Sequence, residues 1–338
     1  MIDRLERDIE DVRRKWVPER RLGVFDVALQ GEARDRRLTG STTSREALEA
    51  LRRLAAAAGV PADVTSLPDA SVGGDRAAIV TAAIAPLLDH PNLRAARVSE
   101  VLHGEPLAVL ARAPDQWLRV RASDGYHGWV HAGYVAAGPE EWGADWTARA
   151  TSRSLGAELH LPESGGRLRL PFGARVTLRR DGTLELADGR TAAVTAGVVR
   201  PESEIRVEAR LRAVPELALR WFGGVPYLWG GRTEWGIDCS GLAQAVYGAR
   251  GISLLRDSDL QVAQGRAVRP DPHGATYEAG DLLFFAEQGR VSHVALWAGA
   301  GRLVHAALAR GGVVSDDLFG DTPLASRLRE GLVAVRRP

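Results

Sequence analysis

The sequence predicts a multidomain chain in which two small β-barrels and a larger C-terminal α+β domain follow a short α+β segment. Three observations carry that prediction. At 338 residues the chain exceeds what a single hydrophobic core usually organises. Its apolar share of 45% and charged share of 26% are those of an ordinary globular protein, which argues against wholesale disorder. The period of the apolar pattern also changes along the chain, from helical spacing to short strand-like runs and then to a mixture of the two.

The first unit is expected over residues 1–75. Leu5, Ile9, Val12 and Trp16 recur at helical spacing through a charged stretch, and an alternating FDVAL run follows. A second helix is read in STTSREALEALRRLAAAAG. Thr43 or Ser44 can cap its first turn, Leu48, Leu51 and Leu54 line one face, and Gly59-Val60-Pro61 stops it. With the short strand ADVTSLP, this order of elements resembles the small βαβ modules of the BON type.

Residues 76–140 read differently, as short apolar runs divided by turn residues: AARVSEV, EPLAVLAR, QWLRVRA and GYHGWVHAGYV, the strands of a small barrel. Residues 141–205 repeat the style in SGGRLRLPFGARVTLRR, GTLELADGR and AAVTAGVV, with Asp181-Gly182 and Asp188-Gly189 suited to tight hairpins. Residues 206–338 open with a helix pattern in LRAVPELALRWFG and continue through turns, one helix and several strands, which fits an α+β domain.

Charge and composition exclude several classes. Lys plus Arg (44) nearly balances Asp plus Glu (43), for a net charge of +1, so no global pull toward nucleic acid or anionic lipid is expected. No apolar run is long enough to span a bilayer, and the charged N-terminus lacks the apolar core of a secretory signal. With Met1 read as a natural start, the expected location is the cytoplasm. No paired-Cys or HExxH spacing is present, so neither a metal nor another cofactor is expected. No obligate protein partner is implied either.

The single cysteine lies in PYLWGGRTEWGIDCSGLAQAVYGARG. Leu242, Ala245, Val246 and Ala249 recur on one helical face, which places Cys239 at a helix start. There, unpaired N–H groups and the positive end of the helix dipole would lower the thiol pKa and could hold an oxyanion. Gly230, Gly231, Gly236 and Gly241 would let the backbone approach a substrate closely. A thiolate needs a partner that takes its proton and returns it to the leaving amine, a task suited to histidine. His293 in GRVSHVALWAG and His305 in GRLVHAALA lie on two strand-like runs joined by Gly299-Ala300-Gly301. A three-residue loop would set Ala298 opposite Arg302 and Ala295 opposite His305, with both imidazoles on one face; an even loop would separate them.

The YxWGG and DCSG turns, the GDLLFF strand from Gly280 to Phe285, and the order Cys, His, His together resemble the NlpC/P60 cysteine peptidases, which have a papain-like core. The resemblance implies Cys239 as nucleophile, His293 as base and His305 as the residue that orients it. Ala279 departs from the proline often found before Gly-Asp, a difference confined to a loop. The segments QWLRVRASDGYHGWVHAGYV and LPFGARV resemble bacterial SH3 modules, which narrows the likeness to YkfC-type γ-D-glutamyl-L-diamino acid endopeptidases. Such enzymes trim small muropeptides with a free N-terminal L-alanine. The resemblance implies a substrate groove lined by Tyr227, Trp229, Asp238, Ser240, Arg256 and Ser258, with Asp238 facing the alanine ammonium. Tyr126 of the first barrel matches a pocket tyrosine, and either Glu100 or Glu105 matches a pocket glutamate.

Plainer readings exist for each residue. A cysteine among apolar neighbours is ordinarily a core residue, and only the joint pattern with both histidines favours a nucleophile. Tyr126 also suits a barrel filler, Asp238 an N-cap, and Arg256 with Ser258 a turn and helix cap. An idle wall-binding protein and a thiol acyltransferase or amidase acting on another amide are the alternatives to a peptidase.

Overall fold

The computed structural model describes residues 4–31 and 35–338. The remaining residues of the charged N-terminal stretch lie outside that description. Helices α1 (Arg4–Trp16) and α2 (Arg45–Ala58) pack on three strands, β1 (Phe25–Gln30), β2 (Arg37–Thr42) and β3 (Ala62–Ser66). Strands β1 and β2 are antiparallel, and α2 is the crossover that makes β2 and β3 parallel. Ser44 caps α2 by accepting a hydrogen bond from Ala47 N, and Gly59 ends it in the left-handed region at φ 66°. The buried face is Ala47, Leu48, Leu51 and Ala55; Leu54, expected in it, is half-buried. Strand β2 was not expected, because its RLTGST run has little apolar alternation, yet Leu38 within it is fully buried.

Seven strands follow: β4 (Ala77–Val80), β5 (Ile84–Leu88), β6 (Arg97–Leu102), β7 (Pro106–Ala113), β8 (Trp117–Arg121), β9 (His127–His131) and β10 (Val135–Gly138). They pair in the order β10-β4-β7-β8-β9-β5-β6 around a core that includes Val80, Leu87, Val101, Val109, Leu118 and Val130. Helix α3 (Glu140–Arg149) then leads to β11 (Ser152–Leu161), β12 (Gly166–Leu170), β13 (Arg175–Leu178), β14 (Leu184–Glu185) and β15 (Thr191–Pro201). Strand β11 pairs with both β13 and β15, which β14 joins, so these strands close on themselves, with β12 on the edge of β11 opposite β15. Gly182 (φ 83°) and Gly189 (φ 82°) take the positive dihedrals that Asp-Gly hairpin turns need.

The C-terminal part contains helices α4 (Glu202–Arg210) and α5 (Val214–Phe222), the short strands β16 (Arg232–Thr233) and β17 (Gly236–Ile237), and helices α6 (Cys239–Ala249) and α7 (Ser258–Gln261). Beyond them lie β18 (Arg266–Val268), β19 (Leu282–Glu287), β20 (Arg290–Gly299), β21 (Arg302–Ala307), β22 (Gly312–Asp317), helix α8 (Pro323–Gly331) and β23 (Leu332–Arg337). The strands make an antiparallel sheet ordered β18-β23-β19-β20-β21-β22, on which α5 and α6 pack through Phe222, Leu242, Val246, Phe284, Val294 and Val304. No helix among the described residues is long and apolar enough to cross a membrane.

Contacts on two sides fix this domain against the barrels. Arg256, fully buried, donates from Nε to Ser99 Oγ of β6 at 2.9 Å, and Arg232 forks onto Glu105 at 2.9 and 3.0 Å. On the other side Phe172 of the second barrel packs on Trp221 and Phe222, with ring centroids 5.0 Å from each.

Candidate active site

Cys239 is the first residue of α6, as the apolar pattern around it implies. The buried face of that helix is broader than expected, because Ala243 and Tyr247 join Leu242 and Val246 in the interior. Asp238 caps the helix. Its Oδ1 accepts hydrogen bonds from Gly241 N (2.7 Å), Ser240 Oγ (3.1 Å) and Arg256 Nη1 (3.0 Å), and its Oδ2 from Gly230 N (2.9 Å) and Arg256 Nη2 (2.7 Å). A carboxylate has about four lone-pair directions, so this one is saturated. Asp238 is therefore the anchor of the turn before α6, and its lone-pair directions are taken where the sequence leads us to expect an acceptor for a substrate ammonium.

The nearby glycines serve the chain itself. A Cβ at Gly241 would lie 2.3 Å from Gly231 O, and one at Gly231 would lie 2.4 Å from Gly236 O. These positions are glycine so that the turn before α6 can fold against its own backbone, and no substrate approach is required to explain them.

Strands β20 and β21 bring the two histidines together. The tip of their hairpin holds two residues, Ala300 and Gly301, both at positive φ, with Gly299 paired to Arg302. The expected three-residue loop is thus replaced by a shorter one plus a bulge between Trp297 and Gly299. The bulge adds back the residue that the loop lost, so Leu296 still faces Val304 and both imidazoles share a face. His293 Nε2 lies 2.9 Å from His305 Nδ1, and His305 Nε2 lies 3.1 Å from Asp316 Oδ2 on β22.

Those distances fix the protons. A carboxylate only accepts, so His305 must donate from Nε2 to Asp316, leaving its Nδ1 as an acceptor. His293 then donates from Nε2, and its own Nδ1 is left with a free lone pair, as a general base requires. Asp316 was missed in the sequence. It lies two positions past Val314, the residue paired with His305, and so on the same face of the sheet. That register is not visible without the fold. Arg310 Nη2 lies 3.4 Å from Asp316 Oδ1.

The sulfur is 7% exposed and sits beside the backbone of Val294, the residue after His293. Burial and then the Asp238 charge push the Cys239 thiol up to about 12; the N–H groups of Val294 and Ser240 and the Arg256 guanidinium pull it down by less. Burial, with His305 beside it, holds His293 down at about 3. Burial thus disfavours the charged form of both side chains. This direction runs against the dipole-stabilised thiolate expected from the helix start.

The first barrel supplies the facing wall. Tyr126, 5% exposed, donates from Oη to Asp257 Oδ2 at 3.1 Å, between the barrel and α7. Asp257, flanked by Arg256 and Ser258, was also missed; its Oδ1 makes no hydrogen bond among the described residues. Glu100 is engaged by Arg97 Nη1 (2.9 Å) and Arg232 N (3.0 Å), and Glu105 by Arg232 and Leu102 N (3.0 Å). Both glutamates hold the interface. Burial raises the Tyr227 hydroxyl, with the Cys239 and Asp238 charges adding to it, so this phenol lies near the sulfur. Trp229 stands 69% exposed, Ser240 donates to Asp238, and Ser258 is buried as the first residue of α7. A cavity of about 340 Å³ lined by Gln244, Arg153, Arg175 and Glu202 opens on another side of α6 and includes neither Cys239 nor the histidines.

Comparison with known proteins accords with this geometry. Residues 224–329 match the NlpC/P60 family, and residues 87–133 match the bacterial dipeptidyl-peptidase SH3 domain. The chain thus carries an NlpC/P60 domain joined to a bacterial SH3 domain. Among its relatives, the γ-D-glutamyl-L-lysine dipeptidyl-peptidase of Bacillus subtilis (strain 168) is 42% identical over 88 residues, covering 25% of this chain and 28% of the relative. The protein of the same name from Bacillus cereus is 39% identical over 25% of this chain and 26% of its own length, so each alignment spans little more than a quarter of the relative. Dipeptidyl-peptidase 6 of Lysinibacillus sphaericus is 27% identical over 73% of this chain and 93% of its own. In fold, the crystal structure of an NlpC/P60 family protein from Bacillus cereus superposes with a TM-score of 0.63 at 22% identity, over 77% of this chain and 99% of that one.

Proposed function

We propose that the chain is a cysteine endopeptidase that hydrolyses the γ-D-Glu–diamino acid bond of small cell-wall peptides with a free N-terminal L-alanine. The observation that carries the reading is the relay from Asp316 through His305 to His293, which leaves a base nitrogen on the strand that borders the Cys239 sulfur. The names of the relatives support the bond class. The second closed barrel, read as SH3-like, and the BON-like N-terminal unit complete the proposed domain plan.

In the first step the Cys239 sulfur attacks the γ-carbonyl carbon while its proton passes to His293 Nδ1. The tetrahedral intermediate then collapses: the C–N bond breaks, and the proton on His293 goes to the departing α-amine of the diamino acid. Water attacks the thioester, gives a proton to His293, and the C–S bond breaks with return of that proton to sulfur. Because thiol and imidazole start neutral, the proton moves during attack and is not transferred beforehand.

The substrate ammonium is assigned to Asp257, whose Oδ1 takes no hydrogen bond among the described residues and whose Oδ2 is held by Tyr126 and Arg21. A carboxylate in an enclosed corner favours a bare amine over an acylated one, so stems still attached to glycan are rejected. Such substrates arise only after release from glycan, which places the reaction in the salvage of wall peptides. The test is hydrolysis of L-Ala-γ-D-Glu-L-Lys beside its N-acetyl form, with mass spectrometry for an acyl adduct on Cys239. Fast cleavage of the free peptide alone is expected; equal cleavage of both would overturn the amine pocket.

A further inference from the structure

The N-terminal unit lies outside both family matches, which cover residues 87–133 and 224–329. It nevertheless reaches the site. Arg21, on the turn after α1, donates from Nη1 to Asp257 Oδ2 (2.8 Å) and to Asp259 Oδ1 (2.7 Å), and from Nη2 to Asp259 Oδ2 (2.9 Å). Its remaining edge is held by Glu19, through Nε to Oε1 (2.8 Å) and Nη2 to Oε2 (2.7 Å).

The turn itself is fastened at both ends. Val17 is buried in the core of the N-terminal unit, and Val24 packs with Leu110 of the first barrel. His127, next to Tyr126, donates from its backbone N to Arg21 O at 3.0 Å, and its Nε2 lies 2.6 Å from Arg20 O. The guanidinium is thus delivered to Asp257 by contacts with His127, the first residue of β9 and the neighbour of Tyr126.

Charge gives this placement a purpose. One guanidinium gathers three carboxylates, Glu19, Asp257 and Asp259, so the rim keeps a surplus of negative charge. Arg256, next in sequence, is already matched to Asp238. Without Arg21 the three carboxylates would repel one another, and Asp257 would lose one of the two bonds that fix its Oδ2.

We propose that Arg21 is a specificity-determining positioning residue, which holds Asp257 oriented beside Tyr126 so that the site selects substrates bearing a free amine. This rests on the amine pocket proposed above. It also gives the N-terminal unit a role in the reaction.

The ionisation of Asp257 supports the same role. Burial raises its pKa, while Arg256 first and Arg21 next lower it, with the Tyr126 hydroxyl adding to them. Removing Arg21 therefore moves protonation of Asp257 toward neutral pH, with Asp259 and Glu19 then acting as unneutralised neighbours.

The experiment uses the full chain and two peptides, L-Ala-γ-D-Glu-L-Lys and its N-acetyl form. For Arg21→Gln, KM for the free-amine peptide should rise about tenfold with kcat little changed. The acid limb of kcat/KM should move to higher pH, and slow cleavage of the acetylated peptide should be unaffected. Arg21→Lys, which keeps the charge but not the fork, should recover part of the loss. If Arg21→Gln does not fold, Arg21→Lys carries the test, with a smaller rise in KM confined to the free-amine peptide. An unchanged or lower KM overturns the proposal, as does an equal loss on both peptides, which would mark a purely structural role. A wild-type chain that cleaves both peptides equally overturns the amine pocket and this inference with it, whereas wild-type discrimination that survives Arg21→Gln overturns this inference alone.

Discussion

The two barrels meet the catalytic domain through opposite chemistries. The first does so with charge: Ser99 and Glu105 engage Arg256 and Arg232, and Tyr126 reaches Asp257. The second does so with rings, Phe172 against Trp221 and Phe222, assisted by Phe172 N donating to Glu234 at 2.8 Å. Directional bonds place atoms to within tenths of an ångström, whereas apolar contact stabilises without specifying a point. The first barrel is thereby suited to form a wall of the site and the second to brace it.

Substitutions separate those two roles. The largest effect is expected from Arg256→Ala, which strips the barrel contact at Ser99 and leaves Asp238 buried without its counter-ion. A loss of about 3–5 kcal/mol of stability should accompany near-complete loss of turnover, measured by denaturant unfolding and peptide hydrolysis. Phe172→Ala should cost about 3 kcal/mol of stability. Assayed below its lowered melting temperature, it should keep kcat and KM close to wild type; a raised KM would mean that the second barrel also shapes the site.

Smaller effects concern the sulfur and the facing wall. With Cys239 raised to about 12 by burial and His293 held near 3, the free enzyme should react with iodoacetamide at pH 7 at least about tenfold more slowly than a free thiol. Because the thiol loses its proton only as pH rises toward its raised pKa, alkylation should still be accelerating above pH 9. A plateau below pH 7 would instead reveal a preformed thiolate. The smallest effect is expected for Tyr126→Phe, a rise in KM of about threefold for the free-amine peptide with kcat retained, since one hydrogen bond to a charged acceptor is lost while the ring still packs. Asp316→Asn tests the wall opposite the barrel. An amide can donate to His305 Nε2 and so invert the chain of tautomers, and kcat should fall by about 10²-fold with KM little changed.

Much of this was legible in the sequence because it depends on local pattern. The start of α6, the cap at Ser44 and the Asp-Gly turns follow from residues within one or two turns of each other. Strands β4, β5 and β11 were not read. An AAIV run is too short and Ala-rich to signal a strand, Pro86 interrupts the pattern of β5, and Gly156 at φ 91° marks the irregular pairing inside β11. Their partners are distant in sequence, and pairing alone defines them. The histidine pair was foreseen from alternation even though the loop length was not, because the bulge restored the register. Asp316, Asp257 and Arg21 escaped for a common reason: each stands out only by a partner that tertiary structure brings to it. The charge state of the sulfur escaped because helix-terminus reasoning counts the dipole and omits the burial.

One consequence follows from the crowded carboxylate of Asp238. It ties the cap of α6, the glycine turn at Gly230 and the guanidinium that docks the first barrel into a single knot. Every bond to Asp238 comes from residues of the C-terminal part itself, and the barrel adds the seat of Arg256 Nε on Ser99. The guanidinium that completes the turn is thereby also the group on which the barrel seats, so a change at Asp238 would be felt at both.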